Sequence, residues 1–202
     1  MNKKKLAIEL SRLQHLIKFN VNLEQYESDS NIASELLWLA YQSGDINGKV
    51  VADFGCGNGI LGIGALLLGA KFVYFLDSDK NALEVCKVNL LNFYSGENYE
   101  LVLGDVSLFS KKVNTVIMNP PFGVQKRKAD KSFLEVAMKY TDNIYSIHKI
   151  ESKNFIEKLC EERDFAVQNI VERDFAIGKI YRFHKKEKHK FKVGIWTIKR
   201  NV

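Results

Sequence analysis

Asn119-Pro120-Pro121-Phe122 is the stretch whose residue types point most directly to chemistry. The chain has only 2 prolines, and both stand here, side by side. Proline fixes φ and removes backbone donors, so the turn is rigid and its carbonyls can face a site. Asn119 adds a side-chain carbonyl that accepts a hydrogen bond, and Phe122 a flat apolar face for stacking a planar group. Two such acceptors suit an amino group conjugated to an aromatic base or a carbonyl. That nitrogen is a poor nucleophile because its lone pair is delocalised. Hydrogen bonds from its two protons to the Asn119 side-chain oxygen and the Pro120 carbonyl favour a pyramidal nitrogen with a localised pair. Positioning supplies most of the catalysis in such a scheme, and no metal is required.

A second constellation lies upstream. Asp53-Phe54-Gly55-Cys56-Gly57-Asn58-Gly59 sets three glycines at alternating positions after an apolar run. Glycines let the backbone turn tightly and approach a ligand, and a following helix N-terminus favours negative charge. The spacing is Gly-x-Gly-x-Gly rather than the dinucleotide Gly-x-Gly-x-x-Gly. Asp77, at the end of the next apolar run, is a candidate acceptor for both ribose hydroxyls of a nucleoside cofactor. It could equally begin the next helix as a cap, a role open to Ser78 and Asp79 too. Asp105 ends a third run and is either an acceptor for an exocyclic adenine amine or a turn residue.

These residues need elements to hold them. Leucines and an isoleucine at helical spacing predict an amphipathic helix over 3–18, and a second helix follows from about Asn31 to Gln42. The pattern then alternates: strand 50–54, helix 60–68, strand 72–76, helix 80–93, strand 99–103 and strand 113–118. Helix 130–142, strand 144–147, helix 152–162 and strands 165–171 and 191–198 complete it. Strands alternating with helices predict an α/β fold, a mostly parallel sheet with helices on both faces. Each candidate polar residue falls at a strand end, where ligands bind in such sheets. A single domain is expected, with residues 1–45 as a helical extension covering the cofactor site and 46–202 as the core.

Composition is that of a globular chain: 202 residues, 46% hydrophobic and 27% charged, which excludes extensive disorder. The formal net charge is +6. Basic residues gather at Lys126-Arg127-Lys128 with Lys131, and again from Lys179 to Lys192. Clusters beside the proline loop and near the C-terminus read as a nucleic-acid footprint or as solvated loops. Cys56, Cys86 and Cys160 lack Cys-x-x-Cys spacing, so neither a disulfide framework nor a zinc site is expected. A reducing compartment follows, and with no membrane-length apolar run the protein is expected to be cytoplasmic.

Together the motifs resemble the amino-methyltransferase group of Rossmann-like S-adenosylmethionine enzymes, whose loop reads Asn/Asp/Ser-Pro-Pro-Tyr/Phe/Trp. More specifically, five stretches look like the METTL5-type rRNA adenine-N6 methyltransferases. They are 23–26 (Leu-Glu-Gln-Tyr), 50–53 (Val-Val-Ala-Asp), 115–123, 145–149 (Tyr-Ser-Ile-His-Lys) and 181–186 (Tyr-Arg-Phe-His-Lys-Lys). The similarity runs over nearly the whole chain. It implies a seven-stranded fold, S-adenosylmethionine as cofactor, and an adenine of small-subunit ribosomal RNA as substrate. It also implies a small zinc-binding activator of the Trm112 type, paired with an edge of the sheet.

Carried over residue by residue, the resemblance puts Gln25, Tyr26 and Ser28 over the cofactor and Gly57 beneath it, with Asp53, Gly55 and Gly59 completing the loop. Asp77 and Ser78 would hold the ribose, Asp105 and Val106 the adenine ring, and Asn119 to Phe122 the target base. Lys126, Arg127, Lys128, Tyr181, Arg182, His184, Lys185 and Lys186 would meet RNA, although Tyr181 and Phe183 could instead pack under the sheet edge. His148 and His184 read as structural or RNA-contacting. Two departures stand out. Glu27-Ser28 replaces the family's Pro-Thr, and Ala176-Ile177-Gly178 lacks the proline that relatives carry before Tyr181. Two other readings fit the loop: a protein glutamine-N5 methyltransferase, and a catalytically silent RNA-binding or assembly factor. The first usually carries a further helical domain and tyrosine in place of Phe122.

Overall fold

The computed structural model describes residues 1–16, 29–121, 129–176 and 190–201. Helices α1 (Lys3–Leu10) and α2 (Ser30–Gln42) come first. β1 (Val50–Phe54), α3 (Ile60–Leu67), β2 (Phe72–Asp77), α4 (Lys80–Phe93) and β3 (Tyr99–Leu103) follow. The second half holds β4 (Thr115–Met118), α5 (Ala129–Tyr140), β5 (Asn143–Lys149), α6 (Lys153–Glu162), β6 (Phe165–Ala176) and β7 (Lys190–Arg200). The strands form a 7-stranded sheet in the order β3-β2-β1-β4-β5-β7-β6. Neighbours are parallel from β3 through β5, and β7 runs antiparallel to both β5 and β6. This is the Rossmann-like α/β architecture expected from the sequence.

Both faces of the sheet are covered, which explains why its central strands read as unbroken apolar runs. All of β4 and the last four residues of β1 are buried. On one face Val51, Ile117, Tyr145 and Ile195 pack with Leu6, Leu10, Leu36, Leu37 and Ile63 of α1, α2 and α3. On the other, Phe54, Met118, Ile144 and Trp196 pack with Leu134, Ala137, Ile156 and Leu159 of α5 and α6. Each fully buried leucine contributes roughly 1.5–3 kcal/mol. That holds α1, whose 8 residues are too few for an isolated helix to persist.

Several boundaries differ from the sequence reading, and four of the differences have a visible tertiary reason. α1 was expected to reach residue 18 but ends at Leu10, although Leu13 is still buried. Beyond it Gln14 is drawn off the helical path by hydrogen bonds to Asn89 of α4. β4 starts at Thr115 rather than 113, because the side-chain oxygen of Asn114 turns to accept the N–H of Val50 at 2.9 Å. β6 and β7 run several residues further than their apolar alternation suggests. β6 is an edge strand, so charged Glu172, Arg173 and Asp174 are tolerated there, and Glu172 meets Lys192 across the pair at 3.4 Å.

Candidate active site

The register brings the candidate residues to one edge. Phe54 lies level with Leu76 of β2 and with Met118 of β4, and Met118 lies level with Ser146 of β5. The Gly-rich loop, Asp77 and Asn119 therefore leave the sheet side by side at the carboxyl ends of the strands. Strand order reverses between β1 and β4, which is where open α/β sheets form their ligand crevice.

The three loop glycines serve two purposes. All adopt left-handed backbone, with φ of 67° at Gly55, 56° at Gly57 and 88° at Gly59. A Cβ at Gly55 would stand 3.1 Å from the ring of Phe133 on α5, and one at Gly59 would stand 2.6 Å from Cys86 Sγ on α4. Those two are packing glycines. Among the described residues, a Cβ at Gly57 would meet nothing within 4 Å. Gly57 thus leaves open space where backbone can approach a bound molecule.

Asp77 braces this loop. It is buried, its Oδ2 accepts the Gly57 N–H at 2.8 Å and its Oδ1 accepts the Asp79 N–H at 2.9 Å. The capping alternative goes to Asp79, whose side chain accepts the Asn81 N–H at the start of α4. Burial pushes the Asp77 carboxyl above its ordinary pKa, and the bonds from Asp79 and Gly57 pull the other way. A carboxylate offers about four acceptor sites, so both oxygens retain capacity for a ribose diol. Ser78 is exposed beside it.

Asp53 is in a different position from the one its sequence context suggests. It lies fully buried beneath the loop rather than at the loop surface. Its Oδ2 accepts the Gly62 N–H at 2.8 Å, satisfying an N-terminal donor of α3 that glycine at the cap cannot reach. Its Oδ1 has no hydrogen-bond partner. Burial raises its pKa to about 8, against the Gly62 bond that lowers it.

Asp105 follows β3, tied to its neighbour by the Gly104 N–H donating to the Asp77 carbonyl at 2.9 Å. It opens a short 3₁₀ turn, accepting the Ser107 N–H at 2.9 Å, with its side chain exposed and Val106 buried next to it. Across the switch point Pro120 is buried, Asn119 and Pro121 are half-buried, and Asn119 Oδ1 is shielded from solvent. The open face of Gly57, the carboxylate of Asp77 and the exposed acid of Asp105 together fit an adenosyl cofactor. Gln25, Tyr26, Ser28, Phe122, Lys126, Arg127, Lys128, Tyr181, Arg182, His184, Lys185 and Lys186 lie outside the described residues.

Two features escaped the sequence reading. Ser146, His148 and Trp196 share one face of β5 and β7, and Ser146 Oγ, His148 Nε2 and Trp196 Nε1 are all buried without hydrogen-bond partners among the described residues. Burial lowers the His148 pKa to about 3, so its imidazole is neutral and no strong base. The second is a hydrogen-bonded group of Gln14, Asn58 and Asn89 at the Gly-rich loop. Its signal was present: Asn89 interrupts the buried stripe of Ala82, Cys86 and Leu90. Among the described residues no three His, Cys, Asp or Glu side chains gather as a metal would need.

Comparison with known proteins agrees with this geometry. Residues 27–143 match the family model for the methyltransferase small domain. The zebrafish (Danio rerio) rRNA N(6)-adenosine-methyltransferase METTL5 is 34% identical over 93% of this chain and 93% of its own length. A protein of Methanocaldococcus jannaschii is 35% identical over 99% of this chain and 95% of its own. Among solved structures, that of a candidate RNA methyltransferase from Pyrococcus horikoshii superposes with a TM-score of 0.92 at 45% identity, covering 100% of this chain and 99% of the other. The chain belongs to the METTL5-type rRNA N6-adenosine methyltransferases, S-adenosylmethionine-dependent enzymes built on the methyltransferase small domain.

Proposed function

We propose that this enzyme methylates N6 of an adenine in small-subunit ribosomal RNA, with Asn119 and Pro120 as the groups that activate the amine. The observation that carries the reading is the juxtaposition at the switch point. The rigid Asn-Pro-Pro turn after β4 stands beside a Gly-rich loop whose Gly57 has room for a Cβ among the described residues. Bound S-adenosylmethionine supplies a methyl group already activated by its positive sulfur. Asn119 Oδ1 and the Pro120 carbonyl accept the two N6 protons and aim the nitrogen lone pair at the cofactor side of the crevice. Phe122 stacks on the flipped base, and Pro121 fixes the turn that presents it. Asp77 and Ser78 hold the ribose, Asp105 and Val106 the adenine of the cofactor, and residues 1–45 fold over it within a single domain. With His148 buried and neutral, the proton lost after transfer leaves through the carbonyl acceptors to water.

Ribosomal RNA as substrate is favoured by the hairpin at the far side of the sheet. Lys149 at the end of β5 pairs with Val193, and Val193 with Arg173. The basic 177–189 connection therefore begins and ends at the same edge as Asn119. Lys126, Arg127 and Lys128 follow the catalytic turn directly in sequence. With Tyr181, Arg182, His184, Lys185 and Lys186 they would hold phosphates and unstacked bases. A Trm112-type activator is proposed to pair with β3, whose outer edge is unpaired among the described residues and flanked by exposed Leu91, Leu103 and Leu108. β6 at the opposite edge suits this less, since a bulge between Val167 and Asn169 and its charges disrupt pairing. Among the described residues no helix is long and apolar enough to cross a membrane, in keeping with a cytoplasmic enzyme.

The test is incubation with the activator, ribosomal RNA and labelled cofactor, followed by digestion to nucleosides and mass spectrometry. Label in N6-methyladenosine is expected. Label appearing only in protein would overturn the RNA reading in favour of glutamine-N5 methylation. Asn119→Ala should abolish turnover while S-adenosylhomocysteine still binds. Lost product affinity would move Asn119 from the target base to the cofactor.

A further inference from the structure

The Gly-rich loop is held from two sides, and one of the two holds is unexplained by the chemistry above. Asp77 grips the Gly57 N–H. On the other side, the next peptide along is gripped by Asn89: its Nδ2 donates to the Asn58 carbonyl at 2.9 Å. The same Nδ2 donates to the Gln14 carbonyl at 3.1 Å, and Asn89 Oδ1 accepts the Gln14 N–H at 2.7 Å. Asn58 closes the ring, its Nδ2 donating to the Gln14 carbonyl at 3.1 Å.

Asn89 is fully buried on a helix whose other inward residues are Ala82, Leu83, Cys86 and Leu90. An amide there costs stability unless it is bonded, and an apolar residue would serve packing alone. Here every hydrogen-bonding group of the side chain is used. Both main-chain groups of Gln14 are read, as a paired strand would read them. Leu13 and Leu16 are buried on either side. The N-terminal segment is thereby fastened to the loop itself, and not merely to the helices around it.

We infer that Asn89 is a positioning residue for the cofactor, linking the Gln14 main chain to Asn58 so that docking of the N-terminal segment and cofactor binding are coupled. The inference rests on the cofactor reading above. The N–H groups of Gly55 and Cys56 fix the start of the loop on the Leu76 carbonyl, at 2.8 and 3.0 Å, and Gly59 closes back on Cys56, while the middle peptides at Gly57 and Asn58 are tied to the rest of the fold by Asp77 and Asn89. A molecule seated against Gly57 needs the loop in that shape, and the Asn89 network fixes the Asn58 peptide next to it. Coupling between two such events is reciprocal: whatever strengthens one strengthens the other by the same factor.

The probe is S-adenosylhomocysteine, measured by calorimetry and by hydrogen exchange on the full chain with its activator. Binding to the wild type should slow exchange in the peptide containing Gln14 and Leu16. Asn89→Leu keeps the apolar volume and removes the amide. It should weaken S-adenosylhomocysteine binding about tenfold or more and raise KM for S-adenosylmethionine, with kcat at saturation and KM for RNA little changed. Asn89→Ala removes the amide without adding bulk or charge, so it guards against a leucine variant that fails to fold and should show the same split. Unchanged affinity in a folded variant, or no ligand effect on exchange at Gln14, would reduce Asn89 to a structural pin. Failure of the wild type to bind S-adenosylhomocysteine would instead overturn the cofactor reading.

Discussion

Asp53 and Asp77 stand on neighbouring strands, and both carboxyls are pushed up by burial. The larger effect falls on Asp53, which has one backbone donor and rises to about 8. A carboxyl whose folded pKa exceeds its unfolded value of 3.8 binds more protons when folded, so it contributes stability at low pH that is lost as pH rises toward 8. His148 has the opposite sign: its pKa falls from 6.5 to about 3, so the unfolded state binds more protons and stability rises with pH across that interval. The two oppose each other below pH 6.5, and above it only the carboxyls remain. Denaturant unfolding should therefore show stability falling from about pH 6.5 to 8 in the wild type and falling less in Asp53→Asn. Equal slopes in the two proteins would mean that Asp53 is ionised in the fold. None of this was legible in the sequence, where Asp53 read only as the acidic start of a glycine motif. Its true surroundings depend on α3 passing over it with Gly62 directed downward. The left-handed glycines were legible because alternating glycines after a strand leave few alternatives.

Elements follow the same division between local and tertiary causes. β1, β3 and α4 matched their sequence bounds because short parallel strands and a capped helix carry their signals in adjacent residues. α1 did not, since the stop after Leu10 is imposed by Asn89, 75 residues from Gln14. β6 did not, because an edge strand has no apolar alternation to extend it. The other edge strand, β3, is short and exposes Leu103 at 57% with Leu108 at 71% just beyond. Natural sheets guard such edges with charge or cover them with a partner. Leu103→Lys should weaken association with the proposed Trm112-type activator by about tenfold or more, while the isolated chain keeps its melting temperature. Co-purification that survives the substitution would move the activator away from β3.

At the scale of the whole molecule, the sheet gathers its candidate site residues at one edge. Parallel strands bring the glycine loop, Asp77, Asp105 and Asn119 to their carboxyl ends, and the antiparallel β6–β7 pair returns to that same edge before turning. The basic stretches at 126–128 and 179–192 follow or join strands that end at that edge, and the proposed RNA contacts fall within them. Phosphate binding releases counterions, so each neutralised phosphate adds about 0.7–0.9 to the slope of log affinity against log salt. Changing Lys185 and Lys186 together to alanine should weaken RNA binding and reduce that slope by about 1.4–1.8. The turnover number at saturating RNA should persist, since neither lysine adjoins the acceptor pair in sequence. The measurement is a salt titration of affinity for a ribosomal RNA fragment, with wild type and double variant side by side. A slope that does not move would return the basic connection to a packing role. RNA affinity would then have to come from the Lys126-Arg127-Lys128 stretch beside the catalytic turn.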